Sequence, residues 1–231
     1  MRQKITYALA ALGSLWLVRN LYIILLQLPD EADQGAIYRI LFFHVPSWFT
    51  CFTGFFVAGC ASVAYLIRRR PGADALAVSA VEVGVAFTTI GLATGMIWAR
   101  IAWGIWWTWD PRLTWALITL LVYMGYLMLR RAIDEPTERA KNSAVLCIFA
   151  FTSVAITYKA IDWWRNQHPG AVLSFRTGGG KIDPMMEAMF FQNWGALMLL
   201  AAAFLLIRMR QEQTQREIDS LRRMALAEGG L

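Results

Sequence analysis

Six stretches of the chain are apolar for long enough to cross a bilayer, and polar or charged residues separate them. A helical span needs about 20 predominantly apolar residues. The first runs from Ile5 to Leu28, the second from about Pro46 to Ile67 and the third from Ala75 to Trp98. The fourth starts at Pro111 and ends near Leu129, the fifth covers Ser143 to Ala160 and the sixth Glu187 to Ile207. The expected fold class is all-α, a polytopic membrane protein with six transmembrane helices. Two local signals refine the ends. Pro46 lacks an N–H and reads as the start of a helix rather than its interior. Asp110 followed by Pro111 reads as an N-cap and first helical residue. Arg2 and Lys4 before the first run resemble the start of a signal peptide. The run is too long for one and has no convincing cleavage site, so a retained helix is expected.

Charge supplies the orientation. Arg2, Lys4, Arg68, Arg69, Arg70, Arg130, Arg131, Arg139, Lys141, Arg208 and Arg210 all flank the same ends of the six spans. Cations concentrate on the cytoplasmic side, so both termini are expected there. Residues 1–210 then form the membrane domain, with a tryptophan-rich segment at 98–115 and a second loop at 162–185 outside. Residues 211–231 form a cytoplasmic tail whose weak apolar stripe, Ile218, Leu221 and Met224, fits a solvated helix. The net charge of +6 does not indicate nucleic acid, because the cations sit between apolar runs; the lipid bilayer is the expected partner. At 58% hydrophobic and 16% charged, the composition excludes an ordinary soluble domain. Arg19, in the outer half of the first span, is expected to snorkel to the interface. Glu82, near the inner end of the third, is either solvated or paired. Cys51, Cys60 and Cys147 lie within spans and form no C-x-x-C, which leaves out a thioredoxin-like site and a c-type heme attachment. Thr177 to Lys181 resembles a phosphate loop, but Ile182 follows the lysine and an earlier glycine is missing, so a flexible loop is expected.

The chemistry concentrates outside. Trp98, Trp103, Trp106, Trp107, Trp109 and Trp115 fall within the 98–115 segment, beside Arg100, Asp110 and Arg112. An interfacial aromatic belt explains one or two such residues, not this density. The segment suits a planar apolar ligand carrying carboxylates. If it is helical, Trp103, Trp106 and Trp107 share a face. Asp110 already has a structural task as a cap. Arg112 opposes the helix dipole at an N-terminus, which points to an anionic partner. His44 and His168 are the two histidines of the chain. Both fall at the outer membrane edge beside a helix-breaking signal, Pro46 after one and Pro169-Gly170 after the other; a residue preceding proline is pushed out of helical geometry, so His168 is expected in a loop or turn. Two imidazoles meeting over a tryptophan surface suit bis-histidine ligation of a heme iron. Zinc fits less well, since no third histidine, cysteine or carboxylate group completes a tetrahedron.

The pattern Trp103-Gly104-x-Trp106-Trp107-x-Trp109-Asp110-x-Arg112-Leu113-Thr114 resembles the signature of the tryptophan-rich WWD family of heme-handling proteins in cytochrome c biogenesis. His44-Val45-Pro46, and His168 following Trp163-Trp164, match the contexts of that family's outer histidines. The resemblance covers nearly the whole chain and is weakest in the tail. It implies a non-enzymatic subunit in the bacterial inner membrane that presents heme b at the periplasmic face and passes it to a membrane-anchored heme chaperone. ABC transporter subunits and a small single-span subunit are the further implied partners. His44 and His168 become the implied iron ligands. Trp98, Trp103, Trp106, Trp107, Trp109, Asp110, Arg112 and Arg100 become the implied heme-binding residues. A cytochrome c heme lyase of the wider family is the first alternative, although lyases are generally larger and carry a further histidine pair. A b-type cytochrome subunit is the second, although its axial histidines usually lie within spans. The route by which heme reaches the site stays open at this point.

Overall fold

In the computed structural model, which describes residues 2–165, 167–168 and 183–228, four of the six helices begin at a proline. The helices are α1 (Arg2–Leu26), α2 (Leu41–Arg68), α3 (Pro71–Trp103), α4 (Pro111–Ala132), α5 (Pro136–Trp163) and α6 (Pro184–Glu228), with a short 3-10 turn at Ala36–Ile40. No strand occurs among the described residues, and all six helices are long and apolar enough to cross a membrane. Proline suits the first helical position because its missing N–H would be unpaired there anyway. Before three of these prolines an acid accepts from the first turn. Asp110 takes the Leu113 N–H at 2.9 Å, Glu135 those of Thr137 and Glu138, and Asp183 that of Met185 at 2.8 Å. The Glu138 and Thr137 donors hold the exposed Glu135 carboxyl below its ordinary range. The cap expected at Asp110-Pro111 is therefore present. The same signal at Glu135-Pro136 starts α5 seven positions ahead of the apolar run, because hydropathy marks where polarity changes and not where backbone hydrogen bonding begins.

Helix α2 is the central element, packed along α3 and touched by α5 and α6, while α1 lies on α6 and α4 on α5. Phe55 of α2 and Tyr123 of α4 stack in the core with centroids 3.8 Å apart. Six crossings put the N-terminus and the end of α6 at the end of the bundle that carries Arg68–Arg70. At the other end Arg39 closes α1 by donating to the carbonyls of Ile24 and Leu28 at 2.8 Å each.

Pro46 lies inside α2 and does not begin it. An interior proline deprives the carbonyl four residues earlier of its donor, here Phe42. Asn193 of α6 replaces that donor, its Nδ2 reaching the Phe42 oxygen at 2.6 Å. Asn193 in turn accepts from Asn20 of α1 at 3.3 Å, and both asparagines are fully buried. Arg19, expected to snorkel, joins this network by donating to Asn20 at 3.3 Å and also donates to Gln192 at 2.7 Å. The helix continues because a neighbour supplies the missing hydrogen bond, which lipid cannot do. Asn193→Leu is expected to lower stability by about 1–3 kcal/mol, the cost of an orphaned buried acceptor. In a Pro46→Ala background the alanine N–H restores the intrahelical bond, so the same change should cost visibly less. Equal costs in the two backgrounds, measured by thermal unfolding in detergent, would refute the link.

The arginine-rich end is held by ion pairs between helices. Arg130 of α4 grips Asp74 of α3 through two bonds of 2.7 and 3.0 Å. Arg216 of α6 donates to Asp74 at 2.6 Å and to Glu212 at 2.7 Å. Glu82 is paired: both its oxygens accept from Arg208, at 2.6 and 2.7 Å. The tail helix expected after residue 210 continues α6 without a break and is anchored by Glu212 and Arg216, while Leu221, Met224 and Leu226 beyond them stay exposed. The signals at Pro169-Gly170 and Thr177–Lys181, and the last three tail residues, lie outside the described residues.

Candidate functional site

The segment expected to present tryptophans from one helical face is broken in two. Helix α3 ends at Trp103, where Gly104 adopts φ 77°. This left-handed conformation is open to glycine without steric cost and commonly terminates helices. Arg100 donates to the Gly104 carbonyl, so it stabilises this helix end. Positions 105–110 are irregular, and α4 starts afresh at Pro111. Trp103, Trp106 and Trp107 thus do not share a helix face. Trp98 and Trp103, five residues apart on α3, meet edge to face at 5.0 Å, and Trp107 meets Trp109 likewise at 5.7 Å. Two tryptophan pairs replace the single stripe.

A cavity opens between these pairs and α2. His44, His168, Trp98, Trp103, Trp107 and Arg112 line it. Trp106, Trp109, Asp110 and Arg100 do not. Trp106 and Trp109 are 53% and 76% exposed and present aromatic surface outside the cavity. Asp110 is taken up by Leu113 and by the Thr108 hydroxyl at 2.9 Å. Trp98 is fixed by its indole N–H, which donates to Gln34 at 2.8 Å.

His44 sits in α2 and His168 in the bend after α5. The His44 ring rests on α3, its Nδ1 2.9 Å from the Gly91 carbonyl and 3.2 Å from the Thr94 hydroxyl. A carbonyl can only accept, so Nδ1 carries the proton and Nε2 keeps its lone pair. That is the arrangement in which a neutral histidine ligates a metal, with the second nitrogen holding the ring's orientation. Room for the ring comes from Gly95, where an added Cβ would stand 2.7 Å from the His44 Cε1. At Gly91 a Cβ would meet Trp48 at 2.9 Å. The sequence carries this signal as Gly91-x-x-x-Gly95, a small-residue spacing that lets helices approach. Trp48, Gln34 and Tyr158 also line the cavity and were not expected. For Trp48 the cue is the four-residue step from His44 along α2.

Arg112 reaches the cavity with no carboxylate partner among the described residues. Of its nearby acids, Asp110 is occupied as the cap, and Asp162, which also lines the cavity, pairs with Lys159 at 3.0 Å. The buried Trp107 indole N–H also lacks a partner among the described residues. An apolar aromatic cavity with an oriented imidazole, a second histidine, an unpaired guanidinium and a spare N–H suits a planar metal chelate bearing acidic groups. No cluster of three metal-ligating side chains is found among the described residues.

Comparison with known proteins agrees with this chemistry. The family model described as heme exporter protein C matches residues 1–224. The heme exporter protein C of Bradyrhizobium diazoefficiens is 38% identical over 198 residues, covering 85% of this chain and 74% of the relative. Those of Paracoccus denitrificans and Escherichia coli K12 are 34% and 29% identical, covering 84% and 79% of this chain and 80% and 73% of their own lengths. With a match across nearly its whole length and six membrane-crossing helices, the chain belongs to the heme exporter protein C family and is a multi-pass protein of the bacterial inner membrane.

Proposed function

We propose that the chain takes up heme b in the cavity between His44 and His168, presents it at the periplasmic face and passes it to a membrane-anchored heme chaperone for cytochrome c maturation. The observation that carries this reading is His44: its Nδ1 proton is held by Gly91, and the lone pair left on Nε2 belongs to a side chain lining the same cavity as His168 and Arg112. His44 and His168 are the axial ligands in this reading. Arg112 holds a propionate through charge-assisted hydrogen bonds, and Trp98, Trp103 and Trp107 bury the porphyrin. Trp106 and Trp109, which face outward, form the surface on which the chaperone docks. ATP hydrolysis belongs to ABC transporter subunits, assembled with a small single-span subunit. The name shared by the relatives supports heme export, and the exposed aromatic surface beside the cavity supports hand-over to a second protein.

The orientation follows from the arginines. The end carrying Arg68–Arg70, Arg130 and Arg131 is placed in the cytoplasm, which leaves the cavity facing the periplasm. A topology reporter fused after Arg210 is expected to read cytoplasmic, and a periplasmic signal would overturn this placement.

Titration of the full chain in lipid nanodiscs with hemin tests the site. The parent should saturate with a low-spin Soret band. Arg112→Ala removes a charged hydrogen bond worth about 1.5–3 kcal/mol, so its Kd should rise by roughly 10- to 150-fold. Arg112→Lys keeps the charge without the planar fork and should recover part of the loss. A parent that does not saturate refutes the heme reading. An Arg112→Ala variant that binds like the parent removes Arg112 from the site.

A further inference from the structure

The cavity measures about 220 Å³, below the ~300–1,000 Å³ usual for small-molecule sites, and heme is a large ligand. Its walls must part somewhere to admit one. A second, shallower hollow lies on the lipid-facing side of the bundle between α2 and α5. Phe52, Phe56, Phe151, Val154, Ala155 and Tyr158 line most of it. Phe52 and Tyr158 line the main cavity as well, so these two side chains are the partition between the spaces. They meet edge to face, centroids 6.5 Å apart. One turn deeper, Phe56 and Phe151 face each other at 6.1 Å.

Both pairs bridge α2 and α5, and neither is a tight seal. Phe56 and Tyr158 are 58% and 55% exposed on the outer surface of two membrane-crossing helices. Phe52 lies eight positions along α2 from His44, about 12 Å at 1.5 Å per residue. Between them stands Trp48, 6.2 Å from the His44 ring and 5.7 Å from the Phe52 ring. His44, Trp48, Phe52 and Phe56 follow one another at four-residue steps and so form one ridge of the helix. An aromatic track therefore runs from the bilayer-facing hollow to the imidazole, and it carries no charge.

We propose that the α2–α5 hollow is a lipid-side docking site for heme, and that the Phe52–Tyr158 pair is the partition through which the macrocycle passes from the bilayer into the cavity. This inference rests on the heme reading above. A flat apolar macrocycle dissolved in the hydrocarbon finds aromatic faces to stack on at the hollow. The open outer end of the cavity, walled by Trp103 and Trp107, is left for departure. Uptake and release then use different openings.

The experiment follows the Soret band of the apo full chain in phosphatidylcholine proteoliposomes. Hemin is supplied either from hemin-loaded phosphatidylcholine vesicles, which deliver it through the bilayer, or as its serum albumin complex, which delivers it from water. Ala155→Trp fills the hollow without touching the cavity. Thr53→Trp does so from the opposite wall, and Val145→Trp places the same ring on an exposed part of α5 away from the hollow. The two plugging variants should slow the vesicle arm by roughly tenfold or more, within the one to three decades over which association rates vary among mutants. The albumin arm and the final Soret amplitude should stay at the parent's values, and Val145→Trp should match the parent in both arms. Equal slowing in both arms, or none in either, overturns the lipid-side route while leaving heme binding in place. A parent with no Soret band in either arm overturns the heme reading, and the route falls with it.

Discussion

Replacing His44 by alanine will move bound hemin from a low-spin to a high-spin spectrum, or abolish retention. The ring is held on α3 by the Gly91 carbonyl and the Thr94 hydroxyl, so its Nε2 is already positioned when a ligand arrives. No other imidazole among the described residues can replace it, since His168, which lines the same cavity, is itself the proposed second ligand. His168→Ala should give the same class of spectrum. External imidazole should restore the low-spin band in either variant, because it supplies the missing donor in a pocket left large enough to take it. Trp107→Ala should behave differently. It removes stacking worth about 0.5–1.5 kcal/mol per aromatic pair beyond area, so hemin should stay low-spin and bind more weakly, without rescue by imidazole. Unchanged low-spin spectra in both histidine variants would sink the axial assignment and leave only the aromatic cavity.

The six helices were legible because membrane burial demands long apolar runs, and the Asp110-Pro111 start because capping is local. What failed was local reasoning about features whose cause lies on another helix. Pro46 looked like a helix start because a sequence cannot show that Asn193, on the last helix, supplies the hydrogen bond that the proline removes. Glu82 was left open for the same reason, its partner Arg208 being 126 positions away. The tryptophan density pointed to the right place and the wrong geometry. Gly104 carried the correction in plain view, since a glycine followed by five residues and an Asp-Pro start reads as the end of one helix and the beginning of the next. Of the ten residues expected to hold heme from their chemistry and from the family resemblance, six line the cavity. Arg100 and Asp110 share that chemistry but are engaged at helix ends. Trp48 was passed over because a single tryptophan in an apolar span looks like core, and only the glycines opposite it on α3 show that the contact is shaped.

Gly95 provides a test that leaves the proposed iron ligands, the tryptophans and Arg112 unsubstituted. A Cβ there would lie 2.7 Å from Cε1 and 3.3 Å from Nδ1 of His44, closer than side chains approach. The ring cannot slide toward Gly91, where the Trp48 indole already occupies the space opened by that glycine, and moving away from α3 breaks the bond between Nδ1 and the Gly91 carbonyl. Gly95→Ala should therefore rotate or displace the imidazole and lower hemin affinity by about tenfold or more, equivalent to ~1.4 kcal/mol, with a loss of low-spin character. The local backbone should respond with the opposite sign, since alanine in a helix interior is favoured over glycine by about 0.8–1 kcal/mol. Gly59 on α2 has no atom within 4 Å of an added Cβ, so Gly59→Ala isolates that helix gain. The control is expected to unfold at the parent's temperature or higher and to bind hemin as the parent does. Gly95→Ala should instead keep its helical content in circular dichroism while its Soret band shifts. If its hemin spectrum and affinity match those of the control, the position of His44 against α3 does not govern the site.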